Sequence, residues 1–329
     1  MYVLGIETSC DETGVAIVKN GRDVINNYFA TQVPIHAQFG GVVPEIASRQ
    51  HLIHITYLVR KVLEESNAIP DAVAVTQGPG LMGSLLVGVN FAKAYAWANK
   101  IPIIPIHHIE GHIFSAMLLE KSPEFPFLAL VVSGGHTMLI ECKAPHEYKI
   151  IGNTRDDAVG ECFDKVARLL GLPYPGGPSI QKTAEKGNPH AIKFPLGLSS
   201  GENLEFSYSG LKTSVLYKIK DTPQSEKTEQ WLADISASFQ WCAIEVLINK
   251  TKLALKKTGL KKLVIGGGVS ANALLRKRAV EELDAEIFLP PLKYCLDNGA
   301  MIASAGYSRL FHGYQSDFSF TANPSLPLC

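Results

Sequence analysis

Short apolar runs alternate with stretches of helical period along this chain. Residues 2–6 are apolar and predict a strand; Glu7-Thr8-Ser9-Cys10-Asp11-Glu12-Thr13 is a polar turn, and residues 14–18 predict the return strand. The result is a hairpin with a carboxylate- and hydroxyl-rich tip. Gly40-Gly41-Val42-Val43-Pro44 reads as a loop, and residues 45–65 have helical period. Residues 71–76 predict a buried strand that ends in the glycine-rich loop Gln77-Gly78-Pro79-Gly80-Leu81-Met82-Gly83-Ser84, before a helix over 85–99. Ile101-Pro102-Ile103-Ile104-Pro105 reads as a short buried strand, and the segment after it, through residue 119, as helix.

A charged, Pro-containing linker at 120–126 separates this half from a second one that opens the same way. Residues 127–132 are apolar, Ser133-Gly134-Gly135-His136-Thr137 is a turn, and 138–142 return. A helix over 156–171 has Gly171 as its C-cap, and Tyr174-Pro175-Gly176-Gly177-Pro178 predicts a rigid turn. Residues 195–230 are polar and read as irregular, with 221–225 the loosest part. A long helix over 231–258 follows, then a strand at 262–265, a Gly266-Gly267-Gly268 turn, and a helix over 271–283 opened by Ser270 or Asn272. Asp297 is expected to N-cap a final helix. Two similar hairpins at the starts of two halves predict a duplicated architecture. Strands alternating with helices predict an α/β fold, with ligands at the loops beyond the strand ends.

Composition narrows the class. With 329 residues, 46% hydrophobic and 19% charged, the chain has room for two domains and a large core. Lys+Arg and Asp+Glu both number 31, so no global field steers the protein to nucleic acid or membrane, and any RNA contact needs a local patch or a partner. The basic clusters Lys256, Lys257, Lys261, Lys262 and Arg276, Lys277, Arg278 are either solvated faces or such a patch. Cys10, Cys142, Cys162, Cys242, Cys295 and Cys329 are scattered with no Cys-x-x-Cys pair, which argues for a reducing compartment rather than a disulfide framework or zinc ribbon. The first residues lack a basic region and their apolar run stops at Glu7, so no signal peptide is expected. No apolar run approaches the ~20 residues of a membrane span. A cytoplasmic location, with no membrane partner, is the expectation.

The densest chemistry lies in Ile106-His107-His108-Ile109-Glu110-Gly111-His112-Ile113. On a helix His108 and His112 share one face within reach of a single metal ion, although two packed histidines at a helix N-terminus would have the same spacing. The metalloprotease pattern His-Glu-x-x-His is absent: Ile109 stands where its base should be, and Glu110 points away from the shared face. If the fold brings Asp297 to the pair, two imidazoles and a carboxylate with open positions suit Fe(II) or Zn(II). His51 and His54 have no third ligand nearby and read as a solvated or packed helix face. The turns at 133–135 and 266–268 lack bulky side chains, so backbone N–H groups can approach a phosphate or ribose, and a metal close to them would suit a nucleotide-linked, acyl-type substrate. The loop at 77–84 matches neither common nucleotide fingerprint and is as compatible with a tight turn as with a ligand cradle.

Together these segments resemble one family. The resemblance is carried by Gly5-Ile6-Glu7-Thr8-Ser9-Cys10-Asp11-Glu12-Thr13, Pro44-Glu45-Ile46-Ala47-Ser48-Arg49, Gly78-Pro79-Gly80-Leu81, His108-Ile109-Glu110-Gly111-His112 and Val132-Ser133-Gly134-Gly135-His136-Thr137. It continues through Phe163-Asp164-Lys165, Tyr174-Pro175-Gly176-Gly177-Pro178, Gly267-Gly268-Val269-Ser270-Ala271-Asn272 and Asp297-Asn298-Gly299-Ala300-Met301, in order from residue 2 to about residue 307. The chain resembles the bacterial-type tRNA N6-adenosine threonylcarbamoyltransferases, a family once taken for O-sialoglycoprotein endopeptidases.

The resemblance implies an actin/sugar-kinase/Hsp70-like (ASKHA) α/β fold with duplicated ribonuclease-H-like lobes. The lobes are expected at residues 1–117 and 118–300, with 301–329 returning to the first. It implies one divalent metal ion, Fe2+ or alternatively Zn2+, on His108, His112 and Asp297. Contacts to the adenylate-linked substrate, threonylcarbamoyl-AMP, are implied for Val131, Val132, Ser133, Gly134, Gly135, Asp164, Gly177 and Asn272. At Gln181 many members carry an acidic residue; Gln can still hydrogen-bond a ribose hydroxyl but has no charge. The reaction implied is transfer of threonylcarbamoyl to N6 of the adenosine 3′ of the anticodon, in tRNAs reading codons that begin with A. Asp11 and Glu12 are candidate orienting groups or proton acceptors, or else simply a solvated hairpin tip. Implied partners are tRNA, a paralogous same-fold protein and a small ATPase. The competing readings are an ATP-dependent phosphotransferase of the same fold, a metalloprotease and a nucleotide-binding scaffold without activity.

Overall fold

Strand pairing divides the elements into two five-stranded sheets. The structure is a computed structural model and describes residues 1–198, 201–314 and 316–328, so Cys329 and two residues of the polar 195–230 stretch lie outside the described residues. In chain order the first elements are β1 (Tyr2–Glu7), β2 (Glu12–Lys19), β3 (Asp23–Thr31), α1 (Val33–His36), α2 (Pro44–Ser66), β4 (Ala72–Gly78), α3 (Met82–Asn99), β5 (Ile103–His107) and α4 (His108–Phe114). There follow β6 (Phe127–Val132), β7 (Thr137–Ala144), β8 (Glu147–Asn153), α5 (Val159–Leu169), α6 (Gly176–Ala184), α7 (Ser209–Asp221), α8 (Glu229–Thr258), β9 (Lys262–Gly266), α9 (Ala273–Glu282), β10 (Glu286–Phe288) and α10 (Gly299–Phe311). Contacts group the chain into two units: residues 1–125, 143–148 and 290–329, and residues 126–142 and 149–289.

The two sheets have the same topology. The first runs β3-β2-β1-β4-β5 and the second β8-β7-β6-β9-β10, so each is an antiparallel three-strand meander continued by two parallel strands. The duplication expected from the two opening hairpins is therefore present, each hairpin extended by an edge strand. Those edge strands, β3 and β8, escaped the hydrophobic pattern because they are half-exposed and mix apolar with polar positions. The central strands are buried on both faces, β6 over its whole length, as expected where helices cover a sheet. In the first unit α10 approaches β1 and β2 so closely that a Cβ at Gly5 or Gly14 would collide with the backbone around Gly299.

Helical segments differ from the sequence pattern at several points: α3 begins at Met82, inside the loop expected at 77–84, and α5 begins at Val159 rather than 156. The turn expected at 174–178 is the entry to α6, which begins at Gly176. The polar stretch 195–230 contains α7, a helix that buries only Leu211 and Val215. At the last helix the N-cap is Asn298, whose side chain accepts from Met301 N at 3.0 Å, so Asp297 is not the cap. The longest helix, α8, is capped by Thr228 and stopped at Gly259 in the left-handed region. By length and composition α8 could cross a membrane, but 72% of that window is buried, and it is the central core helix of the second unit.

Candidate functional site

In the first unit β5 leads straight into α4 through His107. The His107 ring accepts from Ile109 N at 3.1 Å with Nδ1, and Nε2 donates to Leu326 O at 3.0 Å. Burial pushes His107 down to about 4, only partly offset by the Leu326 carbonyl, so it is a neutral helix cap. One residue on, α4 sets His108 and His112 on one face with ring centroids 4.6 Å apart.

Asp297, just before α10, completes the group. Its Oδ1 lies 3.2 Å from His112 Nε2 and 3.7 Å from His108 Nε2, and one ligand atom from each of the three residues lies within 4.8 Å of the others. Both ring nitrogens of His112 are buried and make no hydrogen bond among the described residues. Buried polar atoms are rarely left so, and a cation accepting a lone pair would satisfy the Nε2 atom. Two imidazoles and one carboxylate are also a donor set that suits Fe(II) or Zn(II).

Glu7, at the buried end of β1, supports His108 from behind. Its Oε2 is 3.1 Å from His108 Nδ1 and accepts from Thr76 Oγ1 at 2.5 Å, while Oε1 accepts from Ser9 N at 2.5 Å. Burial alone would raise the Glu7 carboxyl, but the facing His108 holds it below the usual range. Burial alone would lower His108, but Asp297 and Glu7 raise it to about 9. Two carboxylates around one imidazole thus call for positive charge, as a proton or as a metal ion. The sequence pattern puts Glu7 in the polar turn, whereas the structure makes it the buried last residue of β1, a carboxylate terminating an apolar strand.

The acidic tip is only partly solvated, with Cys10 and Glu12 half-buried. Asp11 is buried, and burial, then Asp11, then Asp297 hold the Glu12 carboxyl well above the carboxylate range. His51 clamps this turn, accepting from Thr13 Oγ1 at 2.7 Å and donating to Cys10 O at 2.9 Å. The packed alternative therefore describes His51, and His54 joins no metal-ligand group among the described residues. The loop at 77–80 packs against the C-terminal segment: Asn323 N donates to Gln77 O at 2.9 Å, Gly80 N to Pro324 O at 3.2 Å, and a Cβ at Gly78 would collide with Asn323.

In the second unit the expected substrate residues sit at the ends of β6 and β9 and on the helices beside them. Val131 and Val132 are wholly buried, backbone and side chain alike, and lead into the exposed turn at Gly134 and Gly135. The turn after β6 is closed by Ser133 N donating to His136 O at 2.8 Å and His136 N to Ser133 Oγ at 3.1 Å. A Cβ at Gly134, Gly135 or Gly177 would meet nothing within 4 Å, so open space and not packing surrounds these glycines. Gly267 differs: its φ is 91° and a Cβ there would strike the Val132 carbonyl. The side chains of Asp164, Asn272 and Gln181 brace the turns. Asp164 Oδ1 accepts from Gly176 N at 2.7 Å; Asn272 caps α9 through Leu275 N at 3.0 Å and donates to Gln240 Oε1 at 2.9 Å; Gln181 Oε1 accepts from Ala273 N at 2.8 Å. Of the basic clusters, Arg278 is buried against Glu245 and Glu282, and Lys261 pairs with Asp284.

Two sheets of identical 3-2-1-4-5 order define an ASKHA-type protein, here with a two-histidine, one-carboxylate constellation at the start of α4. Solved structures bear out the fold. T. kodakarensis HypF matches with a TM-score of 0.64 at 15% identity, covering 94% of this chain and 48% of that one. Component A of (R)-2-hydroxyglutaryl-CoA dehydratase from Acidaminococcus fermentans matches with a TM-score of 0.55 at 14% identity, covering 94% and 98%. The family described as TsaD, tRNA N6-adenosine threonylcarbamoyltransferase, matches residues 23–304. A tRNA N6-adenosine threonylcarbamoyltransferase from Trichlorobacter lovleyi is 50% identical over 100% of this chain and 97% of its own length. The chain belongs to the tRNA N6-adenosine threonylcarbamoyltransferase family, and the kinase and protease readings are not favoured.

Proposed function

We propose that this protein transfers the threonylcarbamoyl group of threonylcarbamoyl-AMP to N6 of the adenosine 3′-adjacent to the anticodon, in tRNAs reading codons that begin with A. The observation that carries the reading is the convergence of His108, His112 and Asp297 in a chain of this family. Those residues would hold one divalent ion, Fe2+ in our reading, with Zn2+ the alternative. Such an ion supplies a Lewis acid that binds and polarises oxygen groups of the substrate. Glu7 keeps the His108 ring oriented for that task.

In the second unit the 133–135 turn and Gly177, whose glycines face open space, suit backbone contacts to the adenylate. Asp164, Asn272 and Gln181 hold the turns in shape, and the buried end of β6 at Val131 and Val132 leads into the 133–135 turn. Adenosine N6 attacks the carbamoyl carbon of the mixed anhydride, a C–N bond forms, the C–O bond to phosphate breaks and AMP leaves with the electron pair. The proton lost from N6 needs an acceptor, and the Asp11–Glu12 pair is the candidate. Because the anhydride is already activated, positioning and charge stabilisation are the protein's main work.

The partners in this reading are tRNA, a paralogous protein of the same fold and a small ATPase, acting in the cytoplasm. Exposed Leu52, Ile53 and Tyr57 on one side of α2 favour a protein partner there. The test is transfer of label from threonine into unmodified tRNA, with the adenylate-forming synthase and partners present, comparing native protein with His112→Ala. Label in adenosine with native protein alone is the expected result. Equal label with His112→Ala would overturn the metal assignment, and no label with either would overturn the reaction.

A further inference from the structure

Glu110 is the member of His108-Ile109-Glu110-Gly111-His112 that the metal reading leaves unused. Its side chain is fully buried and turned away from the two rings. Oε1 accepts from His146 Nδ1 at 2.6 Å and from Tyr148 Oη at 2.9 Å. Oε2 accepts from Arg309 Nε at 2.8 Å, with Nη2 of the same guanidinium also at 2.8 Å. His146 is itself held by Ser308 Oγ, 3.1 Å from its Nε2, and stacks on Phe114 with the rings 4° from parallel. Ser308 and Arg309 belong to α10, and His146 and Tyr148 to the 143–148 segment of the same unit.

One carboxylate therefore fastens α4 to α10 and to the 143–148 segment. A helix of seven residues has little stability of its own, so its placement comes from what grips it. On its apolar side α4 packs closely, with Gly111 against Met301 and Ile302, and the hydrogen bonds of Glu110 add fixed points. The same α10 that supplies Arg309 begins just after Asp297, so the Glu110–Arg309 pair sets the register of the histidine-bearing helix against the element that carries the third ligand. Metal ligands must be held to within about 0.5 Å.

We infer that Glu110 is a positioning residue of the metal centre: gripped by Arg309, His146 and Tyr148, it holds α4 in the one register in which His108 and His112 meet Asp297. This rests on the metal reading above, and the test separates the two. The probe is Co2+ in place of the native ion, because its visible d–d absorption reports ligand geometry. Native protein is compared with Glu110→Gln, Tyr148→Phe and His108→Ala for Co2+ affinity by chelator competition, for the absorption bands, and for melting of the metal-free protein. Glu110→Gln should weaken Co2+ binding about 10-fold or more, on the scale seen when the support of a ligand is lost, and shift the bands. Tyr148→Phe, which deletes one oxygen, should shift both in the same direction with near-native melting, and it decides the matter if Glu110→Gln does not fold. Native bands and affinity in these variants, with or without lowered melting, would overturn the inference and leave the metal reading standing. Failure of native protein to bind Co2+, or undiminished binding by His108→Ala, would overturn both.

Discussion

Nδ1 of His108 lies 3.1 Å from Oε2 of Glu7, a residue 101 positions earlier in the chain. The contact joins the buried end of β1 to the first residue of α4 and leaves His108 Nε2 directed at Asp297. A carboxylate behind a ligating imidazole sets the tautomer and raises its basicity. Replacing Glu7 by Gln keeps the shape and removes the charge. Metal affinity, read by calorimetric titration, should fall about 10–100-fold; native affinity in the variant would mean that Glu7 does not orient His108.

The same pair makes the metal-free protein sensitive to pH from both sides. His108 is raised from 6.5 to about 9, so its contribution to stability is full below pH 6.5 and is lost as pH rises through about 9. Glu7 is lowered from 4.5, so its contribution is present above pH 4.5 and is lost as pH falls through its lower folded value. Melting of chelator-treated protein should therefore fall between pH 7 and 9, and adding metal at neutral pH should release a proton from His108. Calorimetry in buffers of different ionisation enthalpy would register that proton. No release would show that the ion does not displace one there.

The glycines of the second unit should divide by what surrounds them. Gly134→Ala and Gly135→Ala put a methyl into open space at backbone angles any residue accepts, so melting should stay near native while KM for the adenylate rises. Gly267→Ala drives a Cβ into the Val132 carbonyl at φ 91° and should destabilise by about 2–6 kcal/mol from strain and overpacking together. Chemical denaturation and adenylate kinetics on the three variants would expose any reversal of this order.

Gln181→Glu would place a carboxylate where Gln181 Oε1 now accepts from Ala273 N, in the first turn of α9. An acceptor is retained and negative charge gained at a helix N-terminus, which stabilises by about 0.3–1 kcal/mol. Denaturation midpoints should rise slightly. A clear fall would show that the amide nitrogen of Gln181 makes a contact the structure needs.

Local rules made much of this protein legible. The 2.0 and 3.6 periods mark the central strands and long helices, and i,i+4 spacing alone puts His108 and His112 on one face, because both rules act within a single element. They fail where a segment takes its order from distant neighbours. The mixed pattern of β3 and β8 becomes strand only by pairing with β2 and β7. The lysine-rich α7 is helical although Leu211 and Val215 are all it buries.

The central strands, the long helices, the repeated hairpins, the family motifs and the histidine pair were legible in the sequence, since each is written in residues near one another along the chain. Only the tertiary structure decided that Asn298 caps α10 while Asp297 reaches the histidines, that Glu7 stands behind His108, and that Glu110 binds Arg309 and His146. Such contacts join residues far apart in sequence. Burial of the β1–β2 and α10 surfaces brings them together, and no local periodicity records that burial.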